Sequence, residues 1–326
     1  MLLTVLFAAG CGRGRGRHQE FAYVSVPQTI LRDRVAAVYE KVGVVKNGER
    51  VQVLDHDRRF VRVRTSAGVE GWIEQRNLIT QQVFDQLQTL AKQAAAYSPQ
   101  AMGITRNDTN LHVEPGRNTD HLYQLKEGSK VAMLKRGTAE KNLPDAATKT
   151  PAKDSNKPAP GPVLEDWWLV RDADNHYGWI LGRMVDVDVP LEIAQYAEGQ
   201  RIVAFFPLNE VVDGDKKVPQ YLVLFSEPKD GLPSDFDQAR VFTWNTRKHR
   251  YETAYRERNL SGVLPVTVSQ ENFDKEGMLP VFILRVKDDE GKVSERKYKL
   301  NTPIVRRVLA PGEEPPKAAG RTKKKR

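Results

Sequence analysis

Apolar and polar residues alternate with a period of two along most of this 326-residue chain. Segments 50–54 (RVQVL) and 60–64 (FVRVR) show the pattern, with an apolar and a polar face in each. A period of two is the spacing of side chains on one face of a β-strand. Glycines at positions 48 and 68 supply the turns between such strands. The alternation therefore predicts a mainly β fold built from small antiparallel sheets.

The pattern is repeated once along the chain. KNGERVQVL (46–54) matches KEGSKVAML (126–134), and FVRVRTSAGVEGWI (60–73) matches WWLVRDADNHYGWI (167–180). Five residues join the two blocks in the first copy and thirty-two in the second. The repeat predicts one unit over residues 21–80 and another over 102–190. An insertion at 136–166, rich in Lys, Pro, Ala and Asp, is expected to be a disordered surface loop.

Both copies resemble the bacterial Src homology 3 (SH3) domain family, whose pattern is a G-x-x-V-x-V-L strand, an aromatic W-x-x-V and a closing G-W-[IV] strand. The matching residues are Gly48, Val51, Val53, Leu54, Phe60, Val63, Gly71, Trp72 and Ile73, then Gly128, Val131, Met133, Leu134, Trp167, Val170, Gly178, Trp179 and Ile180. The resemblance implies two small β-barrels that bind a ligand and often target the cell wall. The family's opening N-V-R is replaced by residues 30–32 (ILR) and 110–112 (NLH).

Between the copies the period changes to that of a helix. Apolar residues fall on one helical face, with Thr80 as a candidate N-cap and Ser98-Pro99 as a stop. The face consists of Val83, Phe84, Leu87, Leu90, Ala91 and Ala94. We predict a linker helix over residues 81–98 that packs between the barrels, in preference to one that binds a membrane or a partner.

The last third of the chain returns to the β pattern. Seven short apolar segments between residues 202 and 300 are separated by turn signals at Asp213-Gly214, Asp230-Gly231 and Glu290-Gly291. This spacing predicts an antiparallel meander or sandwich over residues 195–309. Residues 310–326 end in KKKR and are expected to form a disordered basic tail.

The chain begins with MLLTVLFAAG, a short apolar run that ends in small residues before Cys11, its single cysteine. This is the layout of a secretory signal. Residues 8–11 (AAGC) resemble the lipobox of bacterial lipoproteins, which implies loss of residues 1–10, acylation of Cys11 and membrane anchoring through a flexible linker at 11–20. Gly12 favours the outer membrane if the organism has one. The alternative is a buried N-terminal strand with an inert Cys.

Residues for catalysis or metal binding are not clustered in the sequence. The six His residues are scattered, and neither an HExxH motif nor a serine nucleophile elbow is present. We therefore predict no enzyme activity, metal or cofactor. Trp168 and Tyr177 are the candidates for ligand binding, and a basic turn at Arg247, Lys248 and Arg250 is a candidate anion contact. Trp72 and Trp179 are assigned to barrel packing.

These features favour a lipid-anchored cell-envelope protein whose barrels bind peptidoglycan, a peptide or an envelope protein. The formal net charge of +9 leaves a nucleic-acid-binding protein as the alternative, although no binding motif is evident. A third possibility is an accessory part of a cell-wall enzyme.

Overall fold

Antiparallel β-strands make up most of the computed structural model, which describes residues 19–141, 162–309 and Gly312. The prediction of a mainly β fold is confirmed. The predicted signal, Cys11, most of the linker at 11–20, the middle of the insertion and the basic tail lie outside the described residues. The chain divides into two units, residues 1–84 and 85–326. None of the described helices is long and apolar enough to cross a membrane.

The first unit holds a seven-stranded sheet with the order β3-β2-β6-β5-β4-β1-β7. Its strands are β1 (Glu20–Val24), β2 (Gln28–Arg32), β3 (Lys41–Lys46), β4 (Arg50–Asp57), β5 (Phe60–Arg64), β6 (Glu70–Glu74) and β7 (Leu78–Thr80). Val51, Val61 and Val63 of the alternating segments face inward and form one core with Leu31 and Val45. Gly48 and Gly68 adopt positive φ at the turns, as expected.

Helix α1 (Gln81–Ala94) follows β7 directly and is shorter than the predicted 81–98. The backbone N–H of Val83 donates to Thr80 Oγ1 at 3.4 Å, so Thr80 is the N-cap. All six residues of the predicted apolar face are buried or half-buried. In the first unit Phe84 stacks on Tyr23 at 3.9 Å. In the second unit Leu90, Ala91 and Ala94 pack into an apolar cluster.

The second unit opens with a sheet whose strand order, β10-β9-β13-β12-β11-β8-β14, repeats that of the first. Its strands are β8 (Ala101–Thr105), β9 (Thr109–His112), β10 (His121–Leu125), β11 (Lys130–Glu140), β12 (Leu164–Arg171), β13 (Tyr177–Leu181) and β14 (Val185–Val187). The prediction of a loop over 136–166 is wrong at both ends, because residues 136–140 pair with 164–168. Strand pairing satisfies the backbone hydrogen-bonding groups of these residues, and ion pairs satisfy their charges. The hairpin therefore forms with few apolar residues.

Two four-stranded meanders complete the second unit after the short helix α2 (Leu191–Ala194). They are β15 (Arg201–Asp213), β16 (Lys216–Ser226), β17 (Gln238–Asn245) and β18 (Arg250–Glu257), then β19 (Gly262–Asn272), β20 (Met278–Lys287), β21 (Val293–Asn301) and β22 (Ile304–Val308). The seven predicted segments lie in β15–β21, and β22 was not predicted. One cluster joins Leu222 and Val241 of the first meander to Phe282 and Leu284 of the second, which makes a sandwich. Val170 of the repeated sheet belongs to the same cluster, so the repeated sheet and the sandwich share one core.

Candidate functional site

Strand register places polar residues of the first sheet, together with Phe60 and Trp72, in three rows on the side away from its core. The rows are Gln52, Arg64 and Glu70; then Asp55, Arg62, Trp72 and Arg32; then Asp57, Phe60 and Glu74. We call these residues the outer face. Trp72 is half-buried, and Arg62 and Arg64 are exposed. The outer face therefore combines accessible aromatic surface with charged groups.

Arg32 is held firmly at one edge of the outer face. Its guanidinium carbon lies 4.1 Å from the centre of the Tyr39 ring and 5.1 Å from that of Phe60. Its Nη2 lies 3.6 Å from Glu74 Oε1. Cation–π contacts and the carboxylate fix this side chain, and 22% of it is still accessible to a ligand.

Glu70 holds the other edge of the outer face. Arg62 Nη2 donates to Glu70 Oε2 at 2.9 Å, and Arg64 Nε donates to Glu70 Oε1 at 2.9 Å. The hydrogen bond from Arg64 is the main cause that lowers the pKa of the Glu70 carboxyl. Both arginines are thereby positioned beside Trp72.

The first position of the G-W-I segment requires glycine for steric reasons. A Cβ on Gly71 would lie 2.7 Å from the Leu31 Cβ, and one on Gly178 would lie 2.6 Å from the Leu111 Cβ. Only glycine lets the closing strand approach β2 or β9 this closely. The same contact recurs in both copies of the repeat and brings Trp72 opposite Arg32 in the first.

The corresponding face of the second copy is apolar and covered. Leu169 replaces Arg62, Tyr177 replaces Glu70 and Leu181 replaces Glu74. These residues, with Trp167 and Trp179, are buried in the cluster that contains Leu90, Ala91 and Ala94 of α1. In the second copy, α1 covers the positions that are equivalent to the charged residues of the first copy.

The structure separates the two predicted ligand-binding residues. Trp168 is 7% exposed and belongs to the core that the repeated sheet shares with the sandwich, whereas Tyr177 is 9% exposed and packs in the α1 cluster. Trp167, on the opposite side of β12, takes the helix side, so neither predicted residue offers an open surface to a ligand. Trp179 is buried as predicted, and Trp72 is half-buried.

The predicted basic turn joins β17 to β18, and neighbouring carboxylates neutralise most of it. Lys248 Nζ donates to Glu252 Oε1 at 2.8 Å, and Arg250 Nη2 lies 3.4 Å from the same oxygen. The bond from Lys248 is the main cause that lowers the pKa of Glu252 to about 2. Arg247 is exposed. This pairing weakens the case for an anion contact at the turn.

Asp172, Asp174 and His176 form the one group with the spacing of metal ligands in the part of the chain that the structure describes. Asp172 Oδ1 accepts hydrogen bonds from the backbone N–H groups of Asp174 and His176, and Oδ2 contacts His176 Nδ1 at 2.9 Å. These bonds stabilise the turn between β12 and β13. We assign no metal to it.

The first sheet has a counterpart among known protein families. A model of the bacterial SH3 domain family matches residues 30–79, from β2 through β7. These residues form a bacterial SH3 domain. The outer face lies within this domain. Arg32 entered the sequence analysis only as part of the segment that replaces N-V-R, and Glu70 and Glu74 were not singled out. Their only signal was their polar position in the alternation.

Wider comparisons give weaker likenesses. The search of curated protein sequences found no match. Among solved structures, an NlpC/P60 family protein from Bacillus cereus ATCC 10987 has a TM-score of 0.23 and 11% identity, with 59% of this chain and 65% of that chain covered. NlpC2 from Trichomonas vaginalis has a TM-score of 0.17 and 10% identity, with 89% and 96% covered. TM-scores this low do not establish a common fold.

Proposed function

We propose that this protein is a non-catalytic binding module of the bacterial cell envelope, with the outer face of its SH3 domain as the ligand site. The bacterial SH3 domain over residues 30–79 is the observation that carries the proposal. The family resemblance implies ligand binding and often cell-wall targeting. The paired and stacked charges of the outer face supply a site that is rigid before a ligand arrives.

The chemistry of the outer face favours a peptide-bearing ligand, of which peptidoglycan is the leading candidate. Trp72 offers a flat surface for stacking, with Arg32 on one side and Arg62 on the other. Arg32 and Arg62 offer guanidinium donors to carbonyl and carboxylate oxygens. Glu74 accepts from amide N–H groups. An extended chain rich in amides and carboxylates satisfies both kinds of group.

The second copy of the repeat is, in this proposal, a second SH3-like barrel that has become structural. It shares the strand order of the first sheet and the closing G-W-I segment. Its equivalent face is filled by α1, and its residues there are apolar. Ligand binding is therefore assigned to the first copy alone.

Sedimentation with purified peptidoglycan sacculi tests the site. We expect the full chain to pellet with sacculi. The Arg32→Gln variant should bind about tenfold more weakly, since the contact of the Arg32 guanidinium with the ligand, about 1–2 kcal/mol, is lost. Arg50→Gln is the matched control, because Arg50 stacks at 3.6 Å on Phe21 and lies on β4, which β6 and β5 separate from Arg32 on β2. Trp72→Phe should retain part of the binding.

Equal binding by Arg32→Gln and Arg50→Gln, with both variants folded by circular dichroism, would reject the outer face as the site. Absence of wild-type binding to sacculi would reject the wall ligand. A mobility shift of labelled DNA that weakens steeply with salt would favour the nucleic-acid alternative.

Membrane anchoring through Cys11 is the second part of the proposal. It is supported by the lipobox-like residues 8–11. Intact mass of the membrane fraction should give a species that begins at Cys11 with added acyl mass, absent from a Cys11→Ala variant. In a diderm organism the outer membrane is the favoured location. An unprocessed species outside the membrane fraction would contradict both the anchor and the envelope location.

A further inference from the structure

A groove of about 590 Å³ adjoins the outer face of the first sheet, at the end where β5 begins and β6 ends. Arg59 and Arg76 line the groove together with Glu74, Gln75 and Leu78. Glu74 also belongs to the outer face, so the groove continues that face. Its volume lies within the usual range of about 300–1,000 Å³ for ligand pockets.

Three arginine side chains converge on one cross-strand pair beside this groove. Phe60 on β5 lies opposite Glu74 on β6. The guanidinium carbons of Arg32 and Arg59 lie 5.1 and 5.6 Å from the centre of the Phe60 ring. Glu74 Oε2 contacts Arg76 Nε at 2.6 Å, and Glu74 Oε1 lies 3.6 Å from Arg32 Nη2. Two of the three guanidinium groups therefore share a single carboxylate.

Positive charge exceeds negative charge on this surface. Arg59 is exposed and forms no salt bridge with a carboxylate in the part of the chain that the structure describes. The outer face, the groove and the turn after β4 together hold more arginines than carboxylates. The arginines are Arg32, Arg58, Arg59, Arg62, Arg64 and Arg76, and the carboxylates are Asp55, Asp57, Glu70 and Glu74. Because Arg62 and Arg64 pair with Glu70 at the other edge, the excess lies at the groove.

The second copy of the repeat does not carry this excess of charge. Its residues at the positions of Arg32, Arg59, Glu74 and Arg76 are His112, Asp166, Leu181 and Arg183. Asp166 is buried there and pairs with Arg136. The barrel fold therefore does not require three arginines at these positions, and they are a particular feature of the copy whose outer face is open.

We propose that the groove binds a free carboxylate of a peptide ligand between the guanidinium groups of Arg59 and Arg76. This assignment rests on the proposed function, since it names the chemistry of a ligand that lies on the outer face. A guanidinium presents N–H donors in a planar fork that matches the two oxygens of a carboxylate. The Arg76 side chain is 82% exposed, so its guanidinium stays accessible beside Glu74. A peptide whose carboxylates are amidated lacks the negative charge and binds more weakly.

Sedimentation with two forms of the same sacculi tests the proposal. One form keeps its free carboxylates, and in the other they are converted to methylamides with carbodiimide and methylamine. We expect the full chain to bind the amidated form about fivefold more weakly, and Arg59→Gln to bind the untreated form more weakly by a similar factor. Amidation should cause little further loss in Arg59→Gln, because the variant and the treatment remove the two halves of one contact.

Arg50→Gln is again the matched control, because Arg50 begins β4 and Arg59 follows the other end of that strand. This variant should keep the wild-type preference for untreated sacculi. Equal binding of both forms by the wild type, or an undiminished preference in Arg59→Gln, would overturn the carboxylate site and leave the outer face as a ligand site. Hydrofluoric acid removes phosphate-linked polymers from sacculi. If this treatment abolished the effect of Arg59→Gln, the bound anion would be a phosphate and the proposal would be wrong.

A soluble probe decides the question if sacculi do not bind at all. The full chain is titrated with N-acetyl-alanyl-alanine and, separately, with its carboxyl-terminal amide, and the Nε–H signals of Arg59 and Arg76 are followed by NMR. Shifts with the acid alone, at a Kd on the order of 1 mM, would support the carboxylate site even though the wall ligand had failed. Equal shifts with the acid and the amide, or none with either, would overturn it.

Discussion

Replacement of Asp166 by Asn should destabilise the second unit strongly. Asp166 Oδ1 accepts from Arg136 Nη2 at 2.6 Å and from the Gly231 N–H at 2.9 Å, and Oδ2 accepts from Arg201 Nη1 at 3.0 Å. Loss of one partner of a buried ion pair costs about 3–5 kcal/mol. The lower end applies here, because Arg136 keeps Asp235 at 3.1 Å. At about 2–4 °C per kcal/mol for a unit of this size, the melting temperature should fall by about 6–12 °C.

Scanning calorimetry of the full chain measures this change. Tryptophan fluorescence is a second probe, because four of the five tryptophans lie in the second unit and only Trp72 lies in the first. Asp186→Asn is the control. It breaks a pair with Arg106 in which both side chains are more than half exposed, and such pairs contribute under about 1 kcal/mol. Equal shifts in melting temperature for Asp166→Asn and Asp186→Asn would refute the inference that Arg136, Asp166 and Asp235 form a stabilising buried ion-pair network.

Three further predictions concern the packing of the two copies. Gly71→Ala should cost about 1–3 kcal/mol, since the new methyl would meet the Leu31 Cβ at 2.7 Å, and faster hydrogen exchange in β2 and β6 would report it. Leu169→Arg buries a charge beneath α1 and should lower the melting temperature by several degrees, whereas the reciprocal Arg62→Leu should change it little. Burial lowers the pKa of His112 below its ordinary 6.5, so its neutral form is favoured in the fold. The free energy of unfolding should therefore fall as pH drops below about 6.5, and urea titrations should show a smaller fall in His112→Asn.

Local rules predicted the strands and turns well because those features depend on near neighbours in the sequence. The period-two segments became strands, and Gly48 and Gly68 adopt the positive φ that their turns require. Thr80 caps α1 because its hydroxyl needs only a backbone N–H three residues away. Strand β22 was missed because its segment, Ile304–Val308, carries two adjacent arginines that interrupt the alternation.

The binding candidates were harder to predict, because burial depends on which element covers each face. Alternation correctly places Trp167 and Trp168 on opposite sides of β12. Alternation does not predict that α1 covers one side of β12 and that the sandwich covers the other. Both tryptophans are therefore buried. The insertion boundaries failed for a related reason, since Arg136 and Asp166 are stabilised by each other.

A comparison of the two copies contains a signal that neither copy carries alone. At equivalent outer positions the first copy has Arg62, Glu70 and Glu74 where the second has Leu169, Tyr177 and Leu181. Charged side chains are almost never fully buried unless paired, so the first set fits a solvated face and the second a covered one. The single helix between the copies can cover one such face, and the apolar set marks the face it covers. Within a tandem repeat, the copy that keeps its charges is therefore the better candidate for binding a ligand.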